Sequence, residues 1–243
     1  MNATRAEIAV VAVAELFRGD GEIVASPMGL IPQLGAKLAR LTFEPDLLMS
    51  DGEAYLVTPD GVVEGWQPFR KMLDTIVPHG RRHVVMGANQ IDRYGNQNIS
   101  AIGDHARPKK QLLGVRGAPG NTVNHRTSYW VPRHSTRVFV DTVDVVSGVG
   151  YDNAAKAGPS AEKYHDVHRV VTNLGVFDFA TPDHSMRAVS LHPGVTREEV
   201  EAATTFEIGF SEAGTSREPT AEELRLLREV LDPQGLRNKE VPA

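Results

Sequence analysis

Two polar stretches, each following a short apolar run, carry the residue types that act on carbonyl compounds. Leu47-Leu48-Met49 ends in Ser50-Asp51-Gly52-Glu53, a hydroxyl followed by two carboxylates around a glycine. Such a set can supply a hydrogen-bond partner, a nucleophile or a base that deprotonates water. His83-Val84-Val85-Met86 runs into Gly87-Ala88-Asn89-Gln90-Ile91-Asp92-Arg93-Tyr94-Gly95-Asn96-Gln97-Asn98. There Asn89, Gln90, Arg93 and Tyr94 offer amide, guanidinium and phenol donors, and Gly87 and Gly95 permit tight turns. Arg93 suits bidentate capture of a carboxylate, whereas Asp92, Asn96 and Asn98 read as side chains that hold turns. A third stretch, Gly114-Val115-Arg116-Gly117-Ala118-Pro119-Gly120-Asn121, is followed by Asn124-His125-Arg126. Arg126 is a second candidate anion anchor, expected near the same crevice, and His125 reads as packed or solvated more readily than as a base.

Other chemistries fail on composition or spacing. The chain of 243 residues has no cysteine, which excludes disulfides, cysteine nucleophiles and thiolate metal sites and fits a reducing cytoplasm. His165-x-x-His168 lacks a helical glutamate partner, so no metal is expected. No P-loop, nucleophile elbow or dinucleotide fingerprint is present. A formal charge of −5 gives no general attraction to nucleic acid or to an anionic membrane. No apolar run approaches the roughly 20 residues of a membrane span, and the opening residues do not read as an export signal.

The elements that must hold these stretches alternate between helix and strand. Thr4-Arg5-Ala6-Glu7 forms a capping box, and Ile8, Val11, Ala12, Leu16 and Phe17 recur on one helical face up to Gly19. Residues 22–26 and 46–50 read as strands, 33–41 as a helix after Pro32, 69–76 as another helix, and 83–87 as a strand entering the second stretch. Both Ser50 and Asn89 then fall at strand ends, where loops of an open α/β sheet converge. Strands are expected again at 136–140, 169–173, 175–179 and 186–191, and a capped helix from Thr220. The expected fold is α/β, an open and mostly parallel sheet with a strand-dense second half. One domain spans the chain, with residues 232–243 loosely packed.

The segment Gly87 to Asn98 resembles the Gly-Ala-x-Gln-x-Asp-x-Tyr-Gly-Asn-x-Asn signature of class I coenzyme A transferases. Val170 to Phe177 and Leu191 to Val200 are similar to the carboxyl region of that family's β subunit, in the same order along the chain. In that family an attacking glutamate stands where Ser50 stands here, and a serine hydroxyl cannot form the acyl anhydride and glutamyl thioester of CoA transfer. The chain resembles most a hydrolytic branch of the family that acts in actinobacterial steroid degradation and opens the last ring of a cholesterol-derived CoA thioester.

The resemblance implies water as acceptor, a cyclic β-keto CoA thioester as substrate, no separate cofactor, and an α subunit as partner in an α2β2 assembly. It places Ser50, Asp51, Asn89, Gln90 and Arg93 in the catalytic group, and Tyr94, Arg116, Gly117 and Arg126 against the substrate. Amides near Gly117 would form an oxyanion hole, and Asp51 or Glu53 would be the displaced nucleophile or the water-activating base. Two other readings stay open: CoA transfer with Asp51 as nucleophile, and a structural subunit that completes a partner's site.

Overall fold

The computed structural model describes residues 3–51, 55–66, 68, 81–115, 117–210 and 213–241. The expected helix at 69–76, Glu53 and Arg116 lie outside them. In chain order the elements are α1 (Arg5–Glu15), β1 (Val24–Pro27), α2 (Leu30–Thr42), β2 (Leu48–Met49), and the hairpin β3 (Tyr55–Val57) with β4 (Val63–Trp66). Next come β5 (Arg82–Gly87), β6 (Gln90–Ile91), β7 (Gln97–Asn98), β8 (Ala101–Ile102), β9 (Lys110–Gln111), α3 (Ala118–Asn124) and β10 (Arg126–Val131). The remainder is α4 (Tyr151–Ala157), α5 (Pro159–Glu162), β11 (Asp166–Thr172), β12 (Gly175–Asp178), β13 (Arg187–Leu191), α6 (Arg197–Ala202), β14 (Gly214–Thr215), α7 (Ala221–Arg225) with a π-helical continuation over Leu226–Leu231, and α8 (Arg237–Glu240).

One sheet of eight strands runs β14-β13-β12-β11-β10-β5-β1-β2. From β2 to β11 the pairing is parallel, and β12 and β13 then return antiparallel. Parallel strands need crossovers that cover both faces, and side chains alternate accordingly. Ala25, Val85, Trp130 and Val171 join α1 and α2 in one core, while Val84, Met86, Tyr129, Val131 and Val170 pack with Ile91, Phe139 and Phe177 in the other.

Both expected capping boxes form, at Thr4/Glu7 and at Thr220/Glu223. The first helix is buried over the whole stretch Ala6 to Ala14 and not on a single face, because α2 and the chain's end cover what the sheet does not. Gly35 lets α2 approach: a Cβ there would lie 2.5 Å from Val13 Cγ1 and 3.0 Å from the Ala14 nitrogen.

Two expectations need correction. Residues 136–140 form no strand. Ser135 carbonyl accepts from the amides of Val138 and Phe139 in a turn, Phe139 makes one bridge to Ile91, and its ring stacks on His134 at 3.6 Å. The β-branched residues there suggest strand pairing, whereas their apolar side chains serve a loop that packs onto the core. Residues 232–241, expected to be loosely packed, are also docked. Val241 is buried in the first core, and Glu240 accepts from Trp130 Nε1 at 2.6 Å. Arg237 donates to Asp232 and Glu7, and Arg228 also donates to Glu7.

Glu7 is almost fully buried. Burial alone would raise its pKa, but donation from Arg228, the Thr4 amide and Arg237 overrides that and holds it at about 2. The ordinary value is 4.5, so the depressed folded-state pKa gives stability that is complete above pH 4.5 and lost as pH falls toward 2. Glu7→Gln should cost about 3 kcal/mol at neutral pH and flatten that acid limb, measured by urea unfolding across pH. Gly35→Ala gains about 1 kcal/mol of helix propensity, but the clash reaches the Ala14 backbone and should win. A net loss of about 1–3 kcal/mol is expected, and an unchanged urea midpoint would count against the close approach.

Candidate active site

Val24-Ala25-Ser26 and Leu48-Met49-Ser50 are the same pattern in adjacent parallel strands, with Val24 opposite Leu48 and Ala25 opposite Met49. The two serines therefore leave the sheet side by side. Ser26 Oγ lies 3.0 Å from Ser50 Oγ, and the Ser50 hydroxyl reaches the Ala25 carbonyl at 3.3 Å. On the same face of β5, Arg82 extends toward the carboxyl ends, so that Nε donates to Ser26 Oγ at 2.8 Å and Nη1 donates to Asn121 Oδ1 at 2.8 Å. Asn121 belongs to α3, the helix that Gly117 opens. A continuous polar chain thus runs Ser50–Ser26–Arg82–Asn121 beneath the start of α3.

All four side chains are buried, Arg82 being 4 % exposed. Among the described residues no carboxylate pairs with Arg82, and desolvation draws its pKa down to about 10. His125, next to it, is 1 % exposed. Burial first, and the Arg82 charge second, lower its pKa to about 4, so it is neutral at physiological pH, and its Nδ1 is buried without a partner. Among the described residues the local field is that of one cation without a carboxylate partner.

Asp51 differs from Ser50 in burial. It is exposed, and its carboxylate accepts from the Tyr55 amide at 3.2 Å. Asn89 is exposed just past β5. One strand, β1, separates β5 from β2, a spacing of about 10 Å, so Asn89 and Ser50 border the same edge of the sheet.

The rest of the signature hairpin is differently employed. Gln90 Nε2 donates to Asp144 Oδ2 at 3.0 Å, while its Oε1 accepts from Asn98 Nδ2 at 2.6 Å and from the Asp144 amide at 3.0 Å. Gln90 thus holds a loop, and its amide is spent in doing so. Asp92 accepts from the amides of Tyr94 and Asn96 and from Asn96 Nδ2, and Asn98 also donates to the Ala101 carbonyl. These turn-holding roles match the sequence reading. Arg93 and Tyr94 sit at the hairpin tip, where the Arg93 carbonyl accepts from Met186 and the Tyr94 carbonyl from Tyr151. Through Gly95 that tip packs against Val167, Phe179 and Gly150, away from Ser50. Arg93 Nε is buried without a partner.

Arg126 is placed at the opposite end of the sheet. It begins β10, and its guanidinium donates to Asp20 and Asp166, each at 2.9 Å, at the amino ends of the parallel strands. The expectation that it shares the crevice is corrected: nearness in sequence to the glycine-rich loop does not carry over into space, because a strand's length lies between the two ends. Asp20, His83 and Ser128 nearby have the spacing of a hydrolytic relay, 2.7 and 2.9 Å. His83 and Ser128 are completely buried, so no substrate reaches that hydroxyl.

Ser26, Arg82 and Asn121 are what sequence reasoning missed. The repeated apolar-x-Ser ending of two strands was a visible signal. So was the alternation Arg82, Val84, Met86, which puts the arginine on the serine face.

The family model described as Coenzyme A transferase matches residues 76–203. The chain is 60% identical to the "Cholesterol ring-cleaving hydrolase IpdB subunit" of Rhodococcus jostii (strain RHA1), over 98% of this chain and 96% of that one. It is 31% identical to a 3-oxoadipate CoA-transferase subunit of Pseudomonas knackmussii, over 91% of each. The crystal structure of Rhodococcus jostii RHA1 IpdAB superposes with a TM-score of 0.94 at 58% identity, covering 100% of both chains. The chain belongs to the coenzyme A transferase family.

Arg126→Gln should lower the melting temperature, since buried Asp20 loses a charged partner, yet leave turnover of the assembled enzyme unchanged. A selective fall in kcat at unchanged stability would return Arg126 to the site.

Proposed function

We propose that this chain is the β subunit of a hydrolase that opens a ring of a cholesterol-derived CoA thioester. The observation that carries the reading is near-full-length identity of 60% to a cholesterol ring-cleaving hydrolase subunit, against 31% to a CoA-transferase subunit. The site supports it. The strand-end side chain buried on the Arg82 face is a hydroxyl, and the neighbouring carboxylate, Asp51, is engaged by the Tyr55 amide. No separate cofactor is invoked, because CoA is part of the substrate.

The chemistry asks for water to add to a ring ketone, for the carbon–carbon bond next to the thioester to break, and for the resulting thioester enolate to be protonated at carbon. Each stage places negative charge on an oxygen, and positioned donors supply most of the barrier lowering, one donor being worth on the order of 3 kcal/mol. Among the described residues, Ser50 and Asn89 are donors this chain offers at the sheet edge, with the start of α3 above them. An α subunit closes the site from the other side, in an α2β2 assembly working in the cytoplasm.

The test is to produce the chain with its α subunit and supply a cyclic β-keto acyl-CoA in oxygen-18 water together with a free carboxylic acid. Ring-opened product carrying one labelled oxygen is expected, with the thioester retained. CoA transferred to the added acid would overturn the reading in favour of exchange through Asp51.

A further inference from the structure

Arg82 is the one buried cation on the site face whose charge no carboxylate among the described residues balances, and its guanidinium donates directly to Ser26, the neighbour of Ser50. We propose that Arg82 is a positioning residue of the ring-opening reaction, acting through Ser26 to turn the Ser50 hydroxyl into a polarised donor for the substrate's oxyanion and enolate. The inference rests on the hydrolase reading above and adds to it the part that supplies the charge.

The direction of the chain follows from what each group can do. A guanidinium only donates, so Ser26 Oγ receives a hydrogen from Arg82 and keeps one of its own. An oxygen accepting from a cation becomes the better donor, so Ser26 gives its hydrogen to Ser50 Oγ, 3.0 Å away. Ser50 in turn donates its own hydrogen, which the Ala25 carbonyl accepts in the resting chain at the long distance of 3.3 Å. An oxyanion arriving at the sheet edge is the stronger acceptor.

Among the described residues the surroundings leave the charge uncancelled. Asn121 holds Nη1 through a neutral carbonyl, His125 beside it is a neutral imidazole whose Nδ1 has no partner, and Met86 sulfur fills the space beside Asn121 Nδ2 at 3.9 Å. A cation in such a pocket without a carboxylate costs stability to bury. Its use is then to be balanced by the substrate's developing anion.

The experiment uses the complete complex with its α subunit. Arg82→Gln removes the charge, Arg82→Lys keeps it, and Ser26→Ala cuts the connection. The expected result is a fall in kcat of about 100-fold for Arg82→Gln and for Ser26→Ala with KM little changed, partial recovery in Arg82→Lys, and a double variant no slower than Arg82→Gln alone. Losses that multiply in the double variant, or a Lys variant as slow as Gln at matched melting temperature, would overturn the proposal.

A second readout needs no turnover. A CoA thioester bearing a cyclic 1,3-diketone, which is an enolate at neutral pH, and its neutral monoketone counterpart are titrated by calorimetry. The wild-type complex should prefer the enolate, and Arg82→Gln and Ser26→Ala should lose that preference while still binding the monoketone. Should the wild type bind the enolate in this Arg82-dependent way but open no ring, the hydrolase reading fails and the charge assignment stands. Ring opening with equal enolate preference in all variants overturns the charge assignment and leaves the hydrolase reading in place. A variant that does not assemble leaves the Ser26→Ala arm, which removes only a hydroxyl, to decide.

Discussion

Parallel pairing is the constraint from which the rest of this structure follows. Strands β2, β1, β5, β10 and β11 all run the same way, so no tight turn can join them and each connection must cross a face of the sheet. The crossings bury both faces, which is why α1 is enclosed on nearly every side and why residues as polar as Arg82 and His83 are found inside. They also sort the loops. Segments that leave β1, β2 and β5 emerge at one edge, which collects Ser26, Ser50 and Asn89, while Asp20, Arg126 and Asp166 collect at the other.

Buried charge is handled in two contrasting ways at the two edges. At the amino edge, Asp20 meets Arg126, and Arg126 also meets Asp166. Under the first helix, Glu7 meets Arg228 and Arg237, and Arg237 meets Asp232. Each of these charges has an opposite within hydrogen-bond reach, the usual condition for burying one. Arg82 does not, and its neighbours are two oxygens of neutral side chains. Buried Asp92 likewise has only neutral amide donors and its pKa is raised by burial, but it holds a turn, whereas Arg82 stands beside the edge where loops converge, the setting in which a perturbed charge points to function.

Much of the scaffold was legible in the sequence because it is written in local patterns. The capping boxes at Thr4 and Thr220 and the strands around Val24, Val84, Val170 and Val176 appear within three residues of where periodicity puts them. The central strand Arg126–Val131 went unread. Its polar first residues suggest binding, although Thr127, Tyr129, Trp130 and Val131 carry strong β-preference. The docked end of the chain was invisible for a different reason: Glu7 with Arg237, and Trp130 with Glu240, join residues more than a hundred positions apart, and no window of sequence contains both members. At the site, Ser50 and Asn89 follow from strand ends, but Gln90 and Arg126 look the same in sequence whether they face a ligand or, as here, Asp144, Asp20 and Asp166. What a polar side chain is spent on is a tertiary fact.

The serine at position 50 and an arginine with no carboxylate partner among the described residues make sense together. Ser50 Oγ stands no more than about 6 Å from the guanidinium, the range within which opposite charges strongly stabilise one another. A carboxylate there would take up the Arg82 charge in the resting protein, and the pair would present a neutral face to the substrate. A hydroxyl takes up none of it. An anion one hydrogen bond beyond Ser50, about 8 Å from Arg82 at an effective dielectric near 20, gains about 2 kcal/mol from that single charge. Ketone and water before reaction gain almost nothing, since they carry no net charge. The field therefore acts on the species with the oxyanion and leaves the ground state alone, which is the condition for raising rate and not merely affinity. On the proposed reading, a hydroxyl next to a buried cation, where the family resemblance implies a carboxylate nucleophile, makes a place that stabilises negative charge on the substrate.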